Sequence, residues 1–165
     1  MQSVIIMRLM QLRVERNDIA KAAGLLLRGP KSKEASMPLV RIDLDKSAPT
    51  ERASIVGDAV YNAMISVANV PANDRFQIIT RHNAGEIVYP TEGYLGINYT
   101  KDLVIIQVTW NLGRSIEVKQ AFYKQIAERI SAKTGIRQED VWISLVEVAK
   151  ENWSFGNGEM QYGPK

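Results

Sequence analysis

The sequence has no cysteine and a single histidine, His82, among its 165 residues. The first absence excludes a disulfide scaffold and any cysteine-ligated zinc site. The second excludes a multi-histidine metal centre. No apolar run approaches the roughly 20 residues of a membrane-spanning helix, so no membrane partner is expected. The remaining composition is that of an ordinary globular chain: 45% apolar and 24% charged residues argue against disorder over most of its length. The length suits one domain with one core.

The formal charge of +3 and the pI of about 9.2 invite an anionic macromolecular partner. The charge is unevenly placed, however. Residues 1–36 hold seven basic and three acidic residues, a balance of +4, whereas residues 37–165 hold fourteen basic and fifteen acidic, a balance of −1. No stacking-type RNA motif accompanies the basic segment. Nucleic acid is therefore not an expected partner.

Residues 1–36 read as a leader separate from the domain at 37–165. The early apolar run Val4-Ile5-Ile6-Met7 is too short for a secretory signal, and no small-residue cleavage site follows it, so a cytoplasmic location is expected. Residues 10–27 could form a weak amphipathic helix ended by Gly29-Pro30, or the leader is disordered. A third reading is that it is not translated. Lys33-Glu34 can be encoded by AAGGAG, a ribosome-binding sequence, a short distance upstream of Met37.

From Pro38 onward the pattern is regular. Leu39-Val40-Arg41-Ile42-Asp43-Leu44 alternates as a half-buried strand does. Ser47 to Glu51 opens a helix whose face is Ile55, Val56, Ala59, Val60, Ala63, Met64 and Val67, and Pro71 stops it. Arg75 to Thr80 reads as the next strand. The order then repeats: a strand over Leu103–Trp110, a helix opened by Ser115 with inner face Val118, Ala121, Phe122, Ile126 and Ile130, an αL cap at Gly135, and a strand over Val141–Val146. The two helix-to-strand joints align at an offset of 66 residues, with Asp74 matching Asp140. Between the halves, residues 81–102 are expected to form one or two short hairpin strands, around Glu86–Tyr89 and Tyr94–Ile97.

Each strand–helix–strand crossover makes its strands parallel and right-handed. Two of them give an α+β fold: a four-stranded mixed sheet with two helices on one face. The opposite face is left bare, and other subunits are expected to cover it.

A Met-Pro pair at 37–38, a duplicated β–α–β unit and an implied oligomer resemble the tautomerase superfamily. Val70 to Gln77, His82 with Gly85-Glu86, Phe122-Tyr123-Lys124 and Asn152-Trp153-Ser154-Phe155-Gly156 resemble its malonate semialdehyde decarboxylase group, over Pro38 to about Tyr162. The resemblance implies a homotrimer that uses no cofactor. It implies catalysis by an amino-terminal proline, Pro38 here, tuned by an aspartate, Asp74. In mid-chain a proline nitrogen is an amide with no proton and no basicity, so this chemistry requires the chain to start at Pro38. The resemblance also implies a carboxylate-binding pair of arginines. Arg114 matches the second, and Leu112 stands in place of the first. Trp153, Phe155 and Tyr162 match an apolar wall that withholds water from the substrate carboxylate.

The expected function is that of a lyase or isomerase acting on a small carbonyl carboxylic acid, by decarboxylation or keto–enol tautomerisation, with hydration of an acetylenic or halogenated acrylic acid as a side activity. The alternative is a non-catalytic oligomeric binding protein of this fold, with Pro38 blocked by the leader. Plainer readings exist for each residue. Pro38 could merely start a strand, Asp74 could serve a turn, Arg114 could be a surface charge, and Trp153 and Phe155 could be packing. His82 reads as a structural hydrogen-bonder, and Arg75 and Arg81 as solvated charges.

Overall fold

The computed structural model describes residues 37–163, which belong to a unit spanning Ala35–Lys165. The reading of residues 1–36 lies outside the described residues. The elements are β1 (Leu39–Asp45), α1 (Thr50–Ala68), β2 (Phe76–His82), β3 (Val104–Asn111), α2 (Ile116–Thr134) and β4 (Val141–Val148). The sheet order is β2-β1-β3-β4, parallel within each half and antiparallel where β1 meets β3. This is the expected α+β architecture. A shift of 66 residues carries Thr50–Ala68 onto Ile116–Thr134, and the pair Leu39–Phe76 onto Ile105–Trp142.

Alternation decides which sheet face is covered. Val40, Ile42 and Leu44 of β1 and Val104, Ile106, Val108 and Trp110 of β3 point to one side and are buried. There they meet Val56, Ala59, Val60, Ala63 and Met64 of α1 and Phe122, Ile126 and Ile130 of α2 in a single core. Burial of each such large side chain contributes about 1.5–3 kcal/mol. α1 brings Ala59 and Ala63 into this core, and the Phe122 ring of α2 packs on Trp110 at 5.0 Å. Ala121, expected on the inner face, is exposed. The buried stripe of α2 steps by four through Phe122, Ile126 and Ile130, and a residue one place earlier is turned about 100° away.

Helix ends follow local chemistry. Ser115 caps α2 by accepting from the Val118 N–H, and Gly135 closes it in the left-handed region at φ 73°. At the equivalent positions of α1 stand Pro49, with no side-chain cap, and Asn69, also left-handed at φ 56°.

The connection between the halves is less regular than expected. Tyr94 and Ile97 exchange both backbone hydrogen bonds as an isolated bridge, but no strand forms at Glu86–Tyr89. Glu86 instead turns back, its carboxylate accepting from the Asn83 backbone and side-chain amides. Arg81 is not a solvated charge. Its guanidinium donates to the carbonyls of Lys46 and Ala48 and to Thr50 Oγ1, fastening the β1–α1 turn to β2. Arg75 does stay exposed, paired with Asp58 at 2.7 Å.

The uncovered sheet face exposes Phe76, Ile78, Leu39 and Trp142. Between them runs a charged line on β1 and β2, in which Asp43 takes Arg41 at 3.1 Å and the His82 Nε2 at 2.7 Å. His82 thus has the structural hydrogen-bonding place expected of it.

Candidate functional site

The strand directions determine what gathers at one end of the sheet. β1 and β2 begin there, and β3 and β4 finish there. Pro38 precedes Leu39, which pairs with Phe76 on one side and Thr109 on the other. Asp74 lies two residues before Phe76, at the end of the turn in which its N–H donates to the Pro71 carbonyl. Asn111 closes β3 beside Val148 of β4, and Arg114 and Trp153 follow those strands. Residues far apart in sequence therefore share this end. Pro38 is buried, and its nitrogen in the chain as written is an amide following Met37.

Asp74 is buried, with 7% of its surface exposed, and its Oδ1 has no hydrogen-bond partner. Burial disfavours the charged carboxylate and pushes its pKa up to about 6. The Tyr162 hydroxyl is also pushed upward, first by burial and then by the Asp74 charge. Tyr162 belongs to an aromatic row. Its ring meets Phe155 edge-on at 5.1 Å, and Phe155 stacks on Trp153 at 5.7 Å. Gln161 clamps this tail segment, accepting from the Phe155 N–H and donating to the Gly156 carbonyl.

At the other end of the row, the Trp153 indole N–H donates to Asn111 Oδ1 at 2.8 Å. The Asn111 carbonyl accepts from Arg114 at 2.9 Å, and the Arg114 guanidinium lies 4.1 Å above the Trp110 ring. Such a cation–π contact and hydrogen bond fix the plane of the guanidinium. Leu112 beside it is 61% exposed. The chain of contacts thus runs from Arg114 through Asn111, Trp153 and Phe155 to Tyr162, whose hydroxyl feels the Asp74 charge. Asn111 was not evident from sequence. An asparagine at a strand end is unremarkable, and only its place between two strand ends makes it the joint. The arrangement offers a fixed cation for a carboxylate, an aromatic shelf and a buried acid. Among the described residues no His, Asp or Glu group of metal-binding form occurs.

The family model described as "Tautomerase enzyme" matches residues 74–156. The curated "Probable tautomerase YrdN" of Bacillus subtilis (strain 168) is 37% identical over 126 residues, covering 76% of this chain and 96% of that protein. The chain belongs to the tautomerase family. "Probable tautomerase YusQ" of the same organism is also 37% identical, with 76% and 98% covered. Among solved structures, the FG41 malonate semialdehyde decarboxylase, inhibited by 3-bromopropiolate, is 40% identical with a TM-score of 0.69, covering 75% of this chain and 93% of that one. A second malonate semialdehyde decarboxylase, described with decarboxylase and hydratase activities, is 34% identical with a TM-score of 0.68, covering 75% and 95%. Within the tautomerases, this chain therefore sits in the group that resembles malonate semialdehyde decarboxylase. A fused 4-OT symmetric trimer at 19% identity and TM-score 0.61 shares the fold.

Proposed function

We propose that this tautomerase acts without a cofactor on a small carbonyl carboxylic acid, with Pro38 as its reagent once Pro38 is the first residue of the chain. The observation that carries the reading is the buried, unpartnered Asp74 carboxyl beside the start of β1. A buried acid lacking a partner is costly unless something completes it. A secondary ammonium at Pro38 would do so. With a pKa of about 6, Asp74 is mostly ionised at neutral pH, and its charge would favour the protonated amine, raising it above the ordinary value of about 8.

Arg114 would take the substrate carboxylate bidentately. The Pro38 cation would polarise the carbonyl, or the amine would condense with it to an iminium and release water. Either creates an electron sink two carbons from the carboxylate. In decarboxylation the carbon–carbon bond electrons flow into that sink, carbon dioxide leaves, and the carbanion equivalent takes a proton; on the iminium route water then hydrolyses the product iminium and frees the Pro38 amine. In tautomerisation the same sink lets a proton leave one site and return at another. Trp153, Phe155 and Tyr162 would keep water from the carboxylate. Residues 1–36 would then be absent from the working enzyme, through a start at Met37 or cleavage before Pro38. The exposed apolar residues of the bare sheet face would be covered in a homotrimer, and a fused 4-OT protein of this fold is described as a symmetric trimer.

The test is the amino-terminal sequence and intact mass of native protein, followed by turnover of malonate semialdehyde, oxaloacetate-like and enolpyruvate-like acids. A chain starting at Pro38 should turn over at least one of them, and Pro38→Ala should lower kcat/KM by about 10²-fold or more. Full turnover by protein that retains Met1, or by the Pro38→Ala variant, would overturn the proposal. Leu112→Arg should raise decarboxylation if the missing guanidinium limits it.

A further inference from the structure

The 66-residue offset carries the candidate site onto a second place in the molecule. Because β1 and β3 run antiparallel, the shift exchanges the two ends of the sheet. Asn111 maps to Asp45, Trp153 to Ile87, Phe155 to Tyr89 and Met37 to Leu103. Asp45, Ile87, Tyr89 and Leu103 line a cavity of about 190 Å³, together with Asn83 and Lys101. The counterparts of three residues of the first site, Asn111, Trp153 and Phe155, thus line a cavity at the far end of the sheet, whereas that of Asp74, Asp140, lies outside it.

This cavity differs from the first site in chemistry. Pro38 maps to Val104, which is buried in the sheet and can supply no amine. Arg114 maps to Ala48, so there is no guanidinium. The cation here is Lys101 and the anion Asp45. Asp45 is held ionised by hydrogen bonds from Ser47, whose N–H lies at 2.7 Å, with a smaller contribution from the Lys101 charge. Asp45 and Lys101 both line the cavity, and no ion pair joins them among the described residues. Asn83 is already engaged by Glu86 and Lys46 and serves as wall. Ile87, Leu103 and the Tyr89 ring add an apolar side. The volume falls below the roughly 300 Å³ at which drug-sized pockets begin.

We propose that this cavity is a second, non-catalytic ligand site that takes a small zwitterion, an amino-bearing carboxylic acid of a few carbons, with its carboxylate at Lys101, its ammonium at Asp45 and its carbons against Ile87 and Leu103. The proposal does not depend on Pro38 being the reagent, because binding here requires no turnover.

The experiment titrates the full chain with β-alanine and L-alanine by calorimetry and by amide NMR shifts, with propionate and ethylammonium as single-charge comparisons. At least one zwitterion should bind saturably at tens of millimolar or below, at least tenfold more tightly than either single-charge compound, with shifts centred on Tyr89 and Lys101. Lys101→Gln and Asp45→Asn should each weaken binding at least tenfold. Lys101 is at the surface, and the amide introduced by Asp45→Asn keeps an oxygen for the Ser47 N–H, so both variants should stay folded, with only a small loss of thermal stability expected for Asp45→Asn. Arg114→Gln should leave the affinity intact. No saturable binding, or propionate binding equally well, would overturn the proposal. So would binding that survives Lys101→Gln and is lost in Arg114→Gln, which would put the ligand in the first site.

Discussion

Asp74 and Asp140 hold the same place in the two halves of the molecule, and their surroundings are opposite. Both precede the second strand of a β–α–β unit, and both are buried. Asp140 accepts from the Arg137 guanidinium at 2.8 Å, from the Thr100 N–H at 2.7 Å and from the Thr100 hydroxyl at 2.9 Å. Burial alone would raise its pKa, but those bonds outweigh it and the net shift is downward. Asp74 has burial without the bonds, and its pKa rises to about 6. One fold position therefore yields a structural carboxylate in one half and a poised one in the other. Part of the difference lies in the preceding turn: the 66-residue offset puts Pro71 where Arg137 stands, and a proline carries no donor for Asp74.

The comparison can be broken most forcefully at Asp140. Asp140→Ala strands the Thr100 N–H and uncouples Arg137, so it should cost about 2–4 kcal/mol in denaturant unfolding. Asp74→Ala should cost far less. Equal losses would mean that the position matters in the same way in both halves.

A smaller effect reads the charge itself. Between the unfolded carboxyl value of about 3.8 and the folded value of about 6, native Asp74 holds a proton that the unfolded chain has lost. Stability therefore falls as pH rises through that window. In the full chain, Asp74→Asn should raise stability by about 1–2 kcal/mol at pH 7.5 and give no gain at pH 3.5. Thermal unfolding across pH checks this, and a pH-independent gain would show that the Asp74 charge is not its source. For Asp140, with its lowered pKa, stability is instead lost as pH falls through the folded value.

The helix ends sharpen the contrast at a lower level. Ser115→Ala should destabilise α2 by about 1 kcal/mol, because the Val118 N–H loses its acceptor. Pro49 in α1 has no such bond to lose, so Pro49→Ala should cost less. The left-handed caps carry the contrast further, and the smallest change is expected at Asn69. Asn69→Gly should stabilise α1 by about 0.5 kcal/mol, whereas Gly135→Ala should cost about 1 kcal/mol in α2.

Most of the fold was legible because its strands alternate and its helices carry four-step stripes. The repeat could be read from the two joints alone, and the helix bounds later matched it residue for residue. Ala121 misled because small apolar residues do not reveal which side of a stripe they occupy. Arg81 misled because its partners are backbone carbonyls of a turn, which leave no mark in composition. The residues of the candidate site were named through a resemblance. Their neighbourhood follows from strand direction, which brings Pro38, Asp74, Asn111 and Arg114 to one end. The role of Asn111 needed the structure, since it bonds to Trp153, a side chain 42 positions away, and to Arg114.

The seam between β1 and β3 has a consequence for how such a molecule can change. Six residue pairs, from Leu39–Thr109 to Leu44–Val104, join two halves of the same β–α–β form. In a pair of identical subunits every substitution appears twice, so a residue suited to one end of the sheet must be tolerated at the other. The covalent tether removes that symmetry of inheritance. One copy was free to give up Arg137-like support at Asp74, while the other kept its scaffold and retained a mould of the same site.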